Sequence, residues 1–235
     1  MSYNCILLDF DETLVSFSQS EHECIAKLYN KYSIPSTEEN IRYYHTINEE
    51  CWSEYEKGNL KKKELHKKRF QKVIDKFGIK GVSGEVLNRE YEHYLKFSAH
   101  VIDGAIEFLQ DIEDYATVAI VTNGDEETQQ NRLRLSGIIE YADGVFTSDS
   151  VGYNKPDKRI YTTTLKKLGV ENTKSVLVVG DSLYSDIKGG INAGLDTCWV
   201  NFNGKENTTD IKPKYTVRDY TELKRIILGD KWEEK

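Results

Sequence analysis

The chain has 235 residues, 38% hydrophobic and 30% charged, with a formal net charge of −7. That length suffices for a core domain plus a smaller one, with no need for disulfide staples. The acidic balance argues against binding nucleic acid or an anionic membrane through bulk charge, but a metal or a lysine in a site could still attract a small anionic substrate.

The chain starts MSYNCILLDFDE, without a basic leader segment and with acids too early for a signal peptide. No apolar run approaches the ~20 residues of a membrane span. Cys5, Cys24, Cys51 and Cys198 form no CxxC pair and read as reduced thiols, so the expected location is cytoplasmic.

The first predicted element is a strand over Tyr3–Leu8, ending at Asp9-Phe10-Asp11-Glu12-Thr13. In an extended backbone, period 2 puts Asp9 and Asp11 on one side. A turn with two solvated acids is the plainer alternative. Ionised carboxylates beside a buried strand are costly unless paired or metal-bound, which favours a functional pair.

Residues 15–98 have a different texture. They are charged, carry no convincing strand and fall into helical blocks over Ser18–Tyr32, Thr37–Lys57, Lys61–Phe77 and Ser83–Phe97. Ile34-Pro35, Gly58-Asn59 and Gly78–Gly81 punctuate them. The lysines around Lys61–Lys63 read as a solvated helix face. Ile41, Tyr44, Cys51, Trp52 and Tyr55 approximate a helical stripe, a pattern that more often marks core than a ligand surface.

From about residue 99 onward, short apolar runs alternate with amphipathic segments. Strands are predicted over Thr117–Thr122, Gly144–Thr147, Ser175–Val179 and Thr197–Val200. Helices are predicted over Ile102–Ile112, Glu126–Ser136, Asp157–Leu168, Tyr184–Ala193 and Asp219–Leu228. This alternation predicts an α/β fold with a parallel sheet covered on both faces. Three further motifs lie at its turns. Val121-Thr122-Asn123-Gly124 ends a strand in a hydroxyl, an amide and a glycine, which can cradle an anion or simply cap a helix. Asn154-Lys155-Pro156-Asp157 places Lys155 just ahead of a helix start. Val178-Val179-Gly180-Asp181-Ser182, with Asp186 beyond, gathers oxygen ligands suited to a hard cation. Each motif alone has a bland reading. Together they fall where α/β sheets build sites, at the C-terminal ends of strands, with complementary chemistry.

These motifs resemble the haloacid dehalogenase superfamily, whose pattern is DxDx[TV], then a strand-ending Thr or Ser, then a Lys, then a paired acidic motif. The resemblance implies a Rossmann-like core of strand order 5-4-1-2-3 over residues 1–14 and 99–235, with a helical C1-type cap inserted at 15–98. Trp52–Gly58 (WSEYEKG), Glu127–Gly137 (ETQQNRLRLSG), Val151–Lys155 (VGYNK) and Gly180–Trp199 (GDSLYSDIKGGINAGLDTCW) are similar to the pyrimidine 5′-nucleotidases of that superfamily. The implied activity is hydrolysis of nucleoside monophosphates by a protein that is a monomer or weak homo-oligomer.

The resemblance also assigns roles. Asp9 is the nucleophile and Asp11 the proton carrier. Mg²⁺ (with Mn²⁺ or Co²⁺ as alternatives) is held by Asp9, Asp11 through its backbone carbonyl, and Asp181. Thr122, the Asn123 backbone and Lys155 bind the phosphoryl group. Thr13, Asp186 and Ser182 support them. In the cap, Tyr43, Tyr44, Trp52 and Tyr55 are candidates to meet the base, with Trp52 and Tyr55 as specificity residues.

A sugar phosphatase or phosphomutase with the same core is the nearest alternative. A phospho-accepting receiver module fits poorly, because receivers have an adjacent acid pair and no helical insertion. A dehalogenase fits poorly because halide needs no proton from Asp11. A binding protein that only kept the fold is disfavoured by the filled catalytic positions.

Overall fold

A computed structural model of the chain describes residues 3–229. They divide into two compact units: Phe17–His100, and the residues up to Ser16 together with those from Val101 onward. The first unit is all helical: α1 (Phe17–Lys31), α2 (Glu38–Glu56), α3 (Lys62–Phe77) and α4 (Gly84–Leu95). The Thr37 and Ser83 side chains cap α2 and α4 by accepting from the Asn40 and Val86 N–H groups. Gly78, at φ 64°, closes α3 in the left-handed conformation that glycine adopts without strain.

The interior of this unit gathers Ile25, Leu28, Tyr44, Phe70, Val73 and Tyr91. Tyr44 is fully buried against the Phe70 ring, centroids 5.0 Å apart. Its place in the helical stripe is thus a core place, and it is no base-stacking surface. Buried Arg69 donates to Asn48 and Asn88, and Asn48 donates to buried Glu21, which ties α1, α2, α3 and α4 through one polar ladder.

The second unit is built on a six-stranded, all-parallel sheet. Its strands are β1 (Cys5–Leu8), β2 (Thr117–Thr122), β3 (Gly144–Thr147), β4 (Val176–Gly180), β5 (Asp196–Val200) and β6 (Tyr215–Val217), in the spatial order β3-β2-β1-β4-β5-β6. The first five follow the predicted order. β6, three residues with no apolar run of its own, escaped the sequence pattern.

The helices are α5 (Ala105–Ile112), α6 (Glu126–Ser136), α7 (Ser148–Val151), α8 (Lys158–Leu168), α9 (Lys188–Asn192) and α10 (Tyr220–Leu228). Alternation along the strands feeds two cores. Ile6, Leu8, Leu177 and Val179 pack with Phe108, Leu109, Leu223 and Ile227, while Cys5, Leu7, Val176 and Val178 pack with Ile160, Tyr161 and Leu165. The chain leaves this unit after Ser16 because Val15 still bridges to Asp11 and to Val101. No helix among the described residues is long and apolar enough to cross a membrane.

The predicted helix over Tyr184–Ala193 is instead two pieces, a π-type turn over Leu183–Ile187 followed by α9. The Ser182 carbonyl accepts from both the Asp186 and the Ile187 N–H groups. Such a widened turn often marks a functional position.

Candidate active site

The sheet register sets the site. Leu8 lies between Ile120 of β2 and Val179 of β4. The chain continues in step, since the Asp9 N–H donates to the Val179 carbonyl at 2.8 Å. Asp9 therefore emerges level with Val121 and Gly180, one residue short of Thr122 and Asp181. This brings three of the four predicted motifs to one edge, and Lys155 reaches in from the loop before α8.

Lys155 is 2% exposed, and its ammonium has three acceptors: Asp9 Oδ1 at 2.5 Å, Asp186 Oδ1 at 2.7 Å and the Val121 carbonyl at 3.0 Å. All three N–H donors are thus placed. A reciprocal pair with Asn123 holds its backbone: Lys155 N donates to Asn123 Oδ1 at 2.8 Å, and Asn123 Nδ2 donates to the Lys155 carbonyl at 3.0 Å. The Asn123 side chain is therefore a strut for Lys155. Asp157, not Pro156, starts α8, capping it by accepting from the Arg159 N–H. Pro156 stands ahead of the cap.

Asp186 points back from the π-type turn, and its Oδ2 accepts from the Ser182 N–H at 3.1 Å. Ser182 Oγ in turn accepts from the Ser185 N–H. Gly180 permits this return, since a Cβ there would overlap the Asp186 carboxylate. The Trp199 indole donates to the Asp181 carbonyl at 2.7 Å and fixes that backbone.

Burial pushes the Asp9 carboxyl up to about 8, although the Lys155 ammonium pulls against it. Burial and the neighbouring Asp9 and Asp186 carboxylates push Asp181 well above the usual carboxylate range. For Lys155, burial lowers the ammonium, but Asp186 and Asp9 outweigh it and leave it well above its ordinary value.

Carboxylate oxygens of Asp9, Asp181 and Asp186 lie within 4.8 Å of one another. With all three carboxylates ionised, one ammonium leaves two negative charges uncompensated, a deficit that the raised Asp9 and Asp181 carboxyls express in the metal-free protein. An all-oxygen donor set with that deficit fits a hard divalent cation. Asp186 joins this cluster. The Asp11 side chain, which period 2 puts on one side with Asp9, is held by α6 instead of joining the three carboxylates, in keeping with an Asp11 metal role through its carbonyl alone.

Asp11 meets α6, which the motif pattern passed over. Its Oδ1 accepts from Arg132 Nη1 at 2.6 Å and its Oδ2 from Gln129 Nε2 at 2.8 Å. Gln129 Nε2 also donates to Thr122 Oγ1 at 2.9 Å. Both residues are at most 1% exposed. The available signal was the Glu127–Gly137 segment that the family resemblance picks out, within which Gln129 and Arg132 stand three residues apart on one helix face.

Thr13 is fully buried, but its hydroxyl has no partner among the described residues. Its carbonyl accepts from the Tyr220 hydroxyl at 2.7 Å, so Thr13 ties the loop of Asp11 down through its main chain. Trp52 and Tyr55 belong to the helical unit. They are half-buried, pack edge to face with centroids 5.6 Å apart, and lie against Ile47, Cys51 and Leu65.

A model of the haloacid dehalogenase-like hydrolase family matches residues 3–194. The chain is 33% identical to pyrimidine 5′-nucleotidase YjjG of Escherichia coli (strain K12), covering 97% of this chain and 99% of that one. It is 32% identical to pyrimidine 5′-nucleotidase PynA of Streptococcus pneumoniae (strain ATCC BAA-255 / R6), over 95% and 94% of the two chains. The magnesium-bound crystal structure of the HAD-hydrolase YfnB from Bacillus subtilis superposes with a TM-score of 0.91 at 33% identity, over 97% of this chain and 99% of that one.

Proposed function

The chain belongs to the haloacid dehalogenase-like hydrolases, and from that premise we propose that it is a Mg²⁺-dependent phosphomonoester hydrolase preferring pyrimidine nucleoside 5′-monophosphates. The observation that carries the chemistry is the buried contact of Lys155 with both Asp9 and Asp186, at a strand end that also presents Thr122 and Asp181. Full-length similarity to two pyrimidine 5′-nucleotidases supports the substrate class.

In the proposed reaction, an Asp9 carboxylate oxygen attacks phosphorus and the bond from phosphorus to the ester oxygen breaks. The leaving alkoxide takes the proton of Asp11, giving an aspartyl-phosphate and a free alcohol. Water then attacks phosphorus, gives a proton to Asp11, and restores the Asp9 carboxylate as inorganic phosphate departs. Thr122 and the Asn123 backbone bind the phosphoryl oxygens, while Lys155 attracts them by its charge and keeps Asp9 oriented with its three hydrogens. Asp186 and Ser182 hold Lys155 and the loop of Asp181. Asp9, Asp181 and the Asp11 carbonyl, with Asp186 alongside, would hold Mg²⁺. When bound, the ion offsets repulsion between Asp9 and the phosphate and stabilises the transferring group.

The helical unit Phe17–His100 takes the part of a cap in this reading, with Trp52 and Tyr55 as its specificity residues. Phosphate release under Mg²⁺ tests the substrate class, comparing UMP, dUMP, dTMP, purine monophosphates and sugar phosphates. Pyrimidine monophosphates should give the highest kcat/KM. Sugar phosphates outrunning every nucleotide would overturn it.

A further inference from the structure

The side-chain amide of Gln129 stands between two groups with different tasks. One Nε2 hydrogen goes to Asp11 Oδ2 at 2.8 Å and the other to Thr122 Oγ1 at 2.9 Å. Its Oε1 accepts from Arg132 Nη1 at 2.9 Å, and the same Nη1 reaches Asp11 Oδ1 at 2.6 Å. The guanidinium has no acceptor to offer, so Oε1 must face it and the amide has only one orientation.

Three consequences follow. Both Asp11 oxygens are gripped, by donors one turn apart on α6. The Thr122 hydroxyl accepts from Gln129 and from the Gly124 N–H at 3.1 Å, so its own hydrogen is left to donate elsewhere. The grip is also tightly packed. A Cβ on Gly124 would stand 2.5 Å from the Gln129 side chain, and fully buried Arg132 lies over the Phe10 ring at 5.2 Å. A buried guanidinium is costly unless paired with good geometry, and Asp11 supplies such a pair.

We propose that Gln129 and Arg132 are positioning residues that aim the Asp11 carboxylate, and that Gln129 ties this aim to the orientation of the Thr122 hydroxyl. The proposal rests on the reading of Asp11 as proton donor to the leaving group.

Leaving-group dependence provides the test. An alkyl ester such as UMP needs a proton on the departing oxygen, whereas 4-nitrophenyl phosphate needs little help. kcat/KM covers only the steps through release of that alcohol. Arg132→Met keeps bulk and removes both contacts to Asp11 and Gln129. It should lower kcat/KM on UMP at least about tenfold more than on 4-nitrophenyl phosphate, a fraction of what a general acid contributes. A merely structural role would lower both equally, and that result overturns the proposal. Adding Arg132→Met to Asp11→Asn should widen the split no further, because Arg132 acts through Asp11; a further widening counts against it.

Gln129→Glu keeps the shape and removes both donors, so it should raise KM for both esters as well as split them. Unchanged KM refutes the link to Thr122. If Arg132→Met does not fold, Gln129→Leu carries the same split test. Asp11→Asn alone separates the two levels. No split in that variant defeats the proton-donor reading and the proposal with it, whereas a split there but none in Arg132→Met defeats only the positioning claim.

Discussion

Lys155→Met is the sharpest perturbation of the site's electrostatics. Methionine fills the space of the lysine stem but offers no charge and no donor. The change leaves the Asp9 and Asp186 carboxylates, 7% and 1% exposed, without their shared cation, and removes a donor from the Val121 carbonyl. Breaking a buried ion pair by deleting one partner costs about 3–5 kcal/mol. The cost must depend on pH. Asp9 already sits at about 8 with Lys155 pulling it down, and without Lys155 it rises further. Below that value the carboxyl takes a proton and no longer needs the cation. The expected loss of unfolding free energy, measured by urea denaturation without metal, is therefore about 4 kcal/mol at pH 10, where the parent Asp9 is ionised and paired, and about half that at pH 5, where Asp9 is protonated with or without Lys155. Combined with Asp9→Asn, the loss should shrink, since the two residues are in contact. A loss under about 1 kcal/mol at pH 10, or an equal loss at both pH values, would refute the electrostatic account.

Three other predictions rest on the same geometry. Gly180→Ala forces the Asp186 carboxylate away from Ser182 and Lys155, so phosphate release should fall at least about tenfold with a stability loss of about 1–3 kcal/mol; a fully active variant would show that the return of Asp186 is dispensable. Glu12 sits at φ 56°, so Glu12→Gly should be more stable than Glu12→Ala by about 1 kcal/mol in thermal unfolding, and equal midpoints would deny strain at this position. Asp9 titrates at about 8 when folded and about 4 when unfolded, so the folded metal-free protein binds the extra proton and loses stability as pH rises between those values. Mg²⁺ should accordingly raise the melting temperature more at pH 8 than at pH 5, and the same rise at both would contradict the metal's placement beside Asp9.

Much of this molecule was legible because period and punctuation agree. Thr117–Thr122 and Gly144–Thr147 are strands over their whole predicted length, and the four helical blocks between Ser18 and Phe97 lie within two residues of α1–α4. β6 was not legible, since Tyr215–Val217 is a three-residue edge segment without an apolar run, and it exists by pairing to β5. The motif residues announce themselves by standing at strand ends, where an acid or a hydroxyl interrupts an apolar run. Gln129 and Arg132 do not, because polar residues inside a helix ordinarily face water, and only the tertiary contact to Asp11 gives them a reason to be buried. Similarly, the two-part geometry around Asp186 depends on side-chain bonds to Ser182 that no periodicity reveals.

The central claim is that Asp9 attacks phosphorus. Rapid acid quench of the Mg²⁺-loaded protein turning over UMP, followed by peptide mass analysis, should find phosphate on Asp9 and none in Asp9→Asn, which should also release no phosphate. Phosphate on Asp11 or another residue, or turnover that survives Asp9→Asn, would contradict the account.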